Sequence, residues 1–181
     1  MQTYVLAGGC FWCLDAAYRA LNGVTEVVSG YVGGATEHPT YEQVCSGSTG
    51  HAEAVAVTFD ENVIPAEVIL DAYFTMHDPR QLNHQGADTG TQYRSAMFFA
   101  DDDQRRTFEI SRERATDLWD APLGETEGTI VTTIDPLERF WPAEEVHQDF
   151  FAKNPDQGYC LAVAVPKVNK VRARFAEYAR A

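Results

Sequence analysis

Two cysteines stand three residues apart in the segment Gly8-Gly9-Cys10-Phe11-Trp12-Cys13. A thiol attacks only as its thiolate, and the unpaired N–H groups and positive dipole at a helix N-terminus favour that anion. Cys13 is a helical neighbour of Cys10, and C-x-x-C at a helix start permits a transient disulfide of the kind thiol oxidoreductases use. Two plainer readings stand beside this one. The thiols could be a buried pair, or half of a zinc site, although the chain offers no second Cys pair or close Cys/His pair to complete it.

An acid is placed to complement such a nucleophile. In Glu53-Ala54-Val55-Ala56-Val57-Thr58-Phe59, period-two alternation puts Glu53 on the face of Val55, Val57 and Phe59, the face expected to be buried. A desolvated carboxyl resists ionising and can serve as a proton donor near neutral pH. A solvated strand-end glutamate is the alternative. The polar stretch from Asp78 to Gln92 is longer than ordinary connections, and such loops are often functional. Cys45, in Val44-Cys45-Ser46-Gly47, reads as a small buried hydrophobe outside the chemistry.

These residues need elements to position them. Apolar runs and turn signals predict strands at Thr3 to Ala7, Val24 to Tyr31, Glu53 to Phe59, Tyr93 to Phe99 and Thr129 to Ile134. Leu14, Ala17, Tyr18 and Leu21 recur at i, i+3, i+4 and i+7 before Gly23, so a helix starts beside Gly9 and Cys10. Further helices are expected from Pro65 to about Met76, from Asp101 to Trp119, after Pro142, and along the C-terminal stripe Val168, Val171, Phe175 and Tyr178. Strands separated by helices, without repeats, indicate an α/β or α+β layer in which helices cover a mixed sheet.

Bulk properties exclude other classes. A chain of 181 residues, 45% hydrophobic, fits one domain, here taken as residues 1–181. A formal charge of -13 repels phosphate backbones and anionic membrane surfaces, so neither nucleic acid nor a membrane is an expected partner. No apolar run has membrane-spanning length, and Met1 to Leu6 do not resemble a signal peptide, so a cytoplasmic location is expected.

Four blocks then acquire a joint meaning. Gly9-Cys10-Phe11-Trp12, the run from Tyr41 to Glu53, the run from Asp78 to Arg94, and His147-Gln148-Asp149-Phe150-Phe151 through Asn154-Pro155 to Gly158-Tyr159-Cys160 follow one another in order along nearly the whole chain. Together they resemble the successive signatures of the peptide methionine sulfoxide reductase A family. Any one of them, the C-x-x-C above all, would be a weak signal.

The resemblance implies Cys10 as nucleophile and Glu53 as proton donor. It implies Tyr41, Tyr93 and Asp88 as the groups that orient the sulfoxide oxygen and a site water, with Phe11 and Trp12 around the substrate methyl. Without the resemblance, the aromatic residues read as core packing and Asp88 as a turn residue. His147 could line the same pocket, but a lone histidine on a helix is more often exposed or structurally satisfied, and it is left outside the site. The resemblance further implies selectivity for the S-epimer, thioredoxin as reductant, no cofactor or metal, and a ferredoxin-like two-layer α/β sandwich of the α+β class around a mixed sheet. Cys13 and Cys160 are both candidates for the resolving thiol, with Cys160, expected on a flexible C-terminal segment, slightly favoured as first partner and exchange onto Cys13 possible. A general C-x-x-C disulfide oxidoreductase and a non-enzymatic module that binds oxidised methionine are the competing readings.

Overall fold

A computed structural model describes the chain from Met1 to Ala181. Strand β1 (Gln2–Ala7) leads into helix α1 (Phe11–Arg19), then β2 (Val24–Val32), the short α2 (Tyr41–Cys45), β3 (Ala52–Phe59) and α3 (Ala66–Met76). A small hairpin of β4 (His84–Gln85) and β5 (Asp88–Thr89) precedes β6 (Ala96–Phe99) and α4 (Asp102–Trp119). The chain closes with β7 (Thr133–Pro136), β8 (Phe140–Pro142), α5 (Phe150–Lys153) and α6 (Val165–Arg174).

Six strands form one mixed sheet in the order β7-β6-β1-β3-β2-β8. All neighbours run antiparallel except β6 and β7. Strand alternation sorts the side chains between the two faces. Tyr4 and Leu6 of β1, with Val55, Val57 and Phe59 of β3, pack under Leu14, Ala17 and Tyr18 of α1 and Ile69, Tyr73 and Phe74 of α3. Val5, Ala7, Ala52, Ala54 and Ala96 face the other way in a smaller apolar cluster with Phe98. Helices thus cover one face of the central strands, and Glu53, in step with Val55 and Val57, belongs to that covered face.

Several expected boundaries move. Tyr93 lies in a short 3-10 turn, Thr91–Tyr93, and the strand begins only at Ala96. The strand expected at Thr129 begins at Thr133, because Gly128 and Val131 donate their N–H groups to the carbonyls of Arg80 and Pro79 rather than to a sheet neighbour. The polar loop contains the β4–β5 hairpin. The segment after Pro142 is broken into a turn at Glu145–His147 and one turn of helix in α5, with Asp149 in a left-handed conformation between them. The terminal helix is entered through a π-helical turn at Cys160–Ala164 and stops at Arg174.

Candidate active site

Cys10 is the N-cap residue of α1, as its spacing before the helical pattern predicts. Both thiols are buried, Cys13 more completely than Cys10, while Trp12, Tyr41, Asp88 and Tyr93 are partly exposed. Burial pushes the Cys10 thiol well above its ordinary value, and its contacts with the Cys13 thiol and with the charge of Glu53 add to this. The Trp12 N–H acts in the opposite sense, as the helix terminus should, but the desolvation is larger. The resting Cys10 is therefore a protonated thiol, where the helix terminus by itself predicts a thiolate. Cys13 is drawn down by its hydrogen bond with Cys10, against its own burial.

Glu53 sits one strand away on the covered face of the sheet, with 1% exposure. Its Oε1 accepts the backbone N–H of Phe11 at 3.1 Å, and its Oε2 has no partner. Burial pushes the carboxyl up to about 8, although the Phe11 N–H pulls it down. A carboxyl so placed is protonated at neutral pH and has one oxygen free to donate.

Aromatic rings wall the same region. Phe11 packs against Tyr31 at 5.7 Å and Tyr41 at 6.3 Å between ring centroids. Trp12 stacks on Phe150 at 3.7 Å, and its indole N–H donates to Nδ1 of His147 at 3.2 Å. The His147 ring lies 4.4 Å from that of Tyr41. Glu144 ties the wall together, accepting the Tyr31 hydroxyl at 2.8 Å and the Tyr41 N–H at 2.9 Å. The hydroxyls of Tyr41 and Tyr93 are both held in the neutral form, first by burial and then by the nearby charge of Glu53.

The last group arrives with the C-terminal segment. Tyr159 donates its hydroxyl to Oδ2 of Asp88 at 2.5 Å, and the Cys13 sulfur lies 3.9 Å from the same hydroxyl. Cys160, next in sequence, is fully buried at the start of the π-helical turn rather than on a loose tail. The apolar run Leu161 to Val165 lets this segment continue as helix, and Ala164 joins the core.

The profile of the family described as Peptide methionine sulfoxide reductase matches residues 2–179. The chain belongs to the peptide methionine sulfoxide reductase A family. It is 66% identical over 181 residues to the peptide methionine sulfoxide reductase MsrA of Clavibacter michiganensis subsp. michiganensis, covering 100% of this chain and 99% of that relative. The structure of Mxr1 from Saccharomyces cerevisiae in reduced form superposes with a TM-score of 0.79 at 32% identity, over 88% of each chain. Methionine sulfoxide reductase A of Corynebacterium diphtheriae gives 0.77 at 32% identity, over 85% of this chain and 75% of that one.

For a methionine sulfoxide reductase the arrangement is chemically apt: a thiol, a protonated carboxyl, and phenol groups that can donate to a polarised S=O. Phe11, Trp12, Tyr41 and Glu53 are brought together around Cys10, with Asp88 linked to Cys13 through Tyr159. Tyr31, Glu144 and Phe150 of the wall were not selected from the sequence, and neither were two further residues. His147 lies within the aromatic wall, and Tyr159 bridges Asp88 and Cys13. The signal for Tyr159 was its place beside Cys160.

Cys45 corrects an expectation. It is exposed at the end of α2, with its sulfur beside the Tyr41 hydroxyl, because positions four apart share one helical face. No group of three or more His, Cys, Asp or Glu side chains is arranged to hold a metal, and no helix is long and apolar enough to cross a membrane.

Proposed function

We propose that this chain reduces the S-epimer of methionine sulfoxide, with Cys10 as nucleophile and Glu53 as proton donor. The observation that carries the reading is the unpartnered Oε2 of a Glu53 carboxyl raised to about 8, tied through Phe11 N–H to the residue after Cys10. Cys10 sulfur attacks the sulfoxide sulfur as Glu53 protonates the departing oxygen. The carboxylate left on Glu53 as its proton passes to the oxygen takes the Cys10 thiol proton, so that the sulfur bonds as a thiolate. The oxygen and one proton end on Cys10 as sulfenic acid, and methionine leaves.

Tyr41 and Tyr93 orient the sulfoxide oxygen, Asp88 holds a site water, and Phe11 and Trp12 receive the methyl group, the aromatic faces supplying an apolar wall. Cys13 or Cys160 then condenses with the sulfenic acid, forming a disulfide and releasing water. The hydrogen-bonded contact of the Cys10 and Cys13 thiols favours Cys13 as the first partner.

Turnover needs an outside dithiol, and the family resemblance implies thioredoxin; the yeast relative Mxr1 is known in complex with Trx2. No cofactor enters this scheme. The S preference rests on the resemblance, since each epimer has its own type of reductase. A reducing, cytoplasmic location matches four free thiols. The order β1-α1-β2-β3-α3-β6 with neighbours β6-β1-β3-β2 supports reading the core as a ferredoxin-like two-layer sandwich, and residues 1–181 as one catalytic domain.

Assay of the separated epimers with dithiothreitol tests the reading. The S-epimer is expected to be consumed and the R-epimer left. Reduction of protein disulfides without sulfoxide turnover would instead identify a general oxidoreductase.

A further inference from the structure

Between β1 and α1 the chain runs through Gly8 and Gly9, and both are pressed from behind. A Cβ on Gly8 would lie 2.9 Å from carbon atoms of the His77 ring. Gly9 adopts φ +94, and a Cβ there would meet Cγ of Gln85 at 2.9 Å. Neither neighbour is free to yield. His77 is fully enclosed, and burial lowers it to about 4, so the ring is neutral. Its Nδ1 lies 2.6 Å from the Tyr73 carbonyl, an acceptor only, so Nδ1 carries the proton.

That fixes the rest of the chain of bonds. His77 Nε2 accepts from the Ser95 hydroxyl at 2.8 Å, and Ser95 accepts from Thr132 at 2.7 Å. The Tyr73 hydroxyl donates to the carbonyl of Ala7 at 2.7 Å, the last residue of β1. Gln85 is clamped by two bonds to Asp78: its Oε1 accepts the Asp78 N–H at 2.8 Å and its Nε2 donates to the Asp78 carbonyl at 3.0 Å. On the far side of the turn, Phe11 N–H is held by Glu53.

We propose that His77 and Gln85 are positioning residues for Cys10, forming a cradle that holds the Gly8-Gly9 turn in the path that brings the thiol and Glu53 together. The proposal rests on Cys10 being the nucleophile. It also gives the polar loop a role, since the hairpin pairs Gln85 with Asp88 and so couples the cradle to the site. Reactive groups must meet in a near-attack geometry, and small misplacements are costly in rate.

The test uses the full chain without reductant, with the first turnover followed over a range of sulfoxide concentrations. Gln85→Ala removes the Cγ that presses on Gly9 and both bonds to Asp78, leaving only Cβ behind the turn, without opening the His77 network, and His77→Ala is its companion. The first-turnover rate constant of Gln85→Ala is expected to fall roughly 10- to 10²-fold, with half-saturation within about twofold of wild type. A rate within about twofold of wild type, a loss confined to half-saturation, or a loss accounted for by the unfolded fraction would overturn the proposal. Cys10→Ser separates the two readings. Activity surviving in Cys10→Ser defeats the nucleophile assignment, whereas activity lost in Cys10→Ser together with wild-type rates in Gln85→Ala defeats the cradle alone.

Discussion

Oε1 of Glu53 accepts the backbone N–H of Phe11 at 3.1 Å, so the buried acid is tied to the residue directly after Cys10. A backbone donor pins one oxygen and leaves the other, Oε2, as the only part of the carboxyl free to serve a ligand. The strand that carries Glu53 and the helix start that carries Cys10 are thereby held in one unit.

A proton donor raised to about 8 is loaded below that pH and empties above it. First-turnover rates of the wild type are expected to fall as pH rises through about 8. Glu53→Gln keeps the shape but cannot transfer a proton, and should be slower by roughly 10²- to 10⁴-fold. Wild-type rates in this variant across neutral pH would contradict the assignment.

The same group makes a statement about stability. Between the ordinary value of 4.5 and about 8 the folded state binds more protons than the unfolded state at Glu53, so its stability declines as pH rises through that window. Glu53→Gln lacks this decline and should gain on the wild type between pH 5 and pH 9. Urea denaturation at both values checks it. An unchanged difference between the two proteins would show that Glu53 does not titrate as described.

Tyr159→Phe removes the hydroxyl shared by Asp88 and Cys13. Loss of a hydrogen bond to a carboxylate should cost about 1–2 kcal/mol of stability, discounted for partial exposure. Because that hydroxyl also helps draw the Cys13 thiol down, alkylation of Cys13 should shift to higher pH. An unshifted profile would separate Tyr159 from the chemistry of Cys13.

Cys13→Ser and Cys160→Ser should each still reduce one sulfoxide per enzyme without reductant, because forming the sulfenic acid on Cys10 consumes neither thiol, and each should lose part of the thioredoxin-supported turnover. Peptide mapping of the wild type oxidised by one equivalent of sulfoxide should find the Cys10 to Cys13 bridge before any bridge to Cys160. A Cys10 to Cys45 bridge would return Cys45 to the mechanism.

Much of this site was legible in residue patterns because they are local. Period-two alternation placed Glu53 on the covered face, and helical spacing after Gly9 placed Cys10 at a helix start. What the patterns could not carry was set by distant partners. Whether Cys10 rests as thiol or thiolate depends on desolvation by residues far along the chain. Tyr159 meets Asp88 across 71 positions, and His147 meets Trp12 across 135. The Thr129 region gave up its strand pairing to the loop at Pro79 and Arg80, a contact no local propensity encodes. Cys45 was misjudged although the four-residue spacing from Tyr41 was visible, since the short α2 itself was not expected.

The central claim is that oxygen passes from the sulfoxide to Cys10. In a Cys13→Ser, Cys160→Ser background, where no resolving thiol remains, one equivalent of the S-epimer is added and the protein is treated with dimedone, which traps sulfenic acid. Mass spectrometry of the digested protein should locate the adduct on Cys10 in near-stoichiometric amount with the methionine released. Methionine released with no adduct on Cys10, or with the adduct on Cys45, would contradict the account.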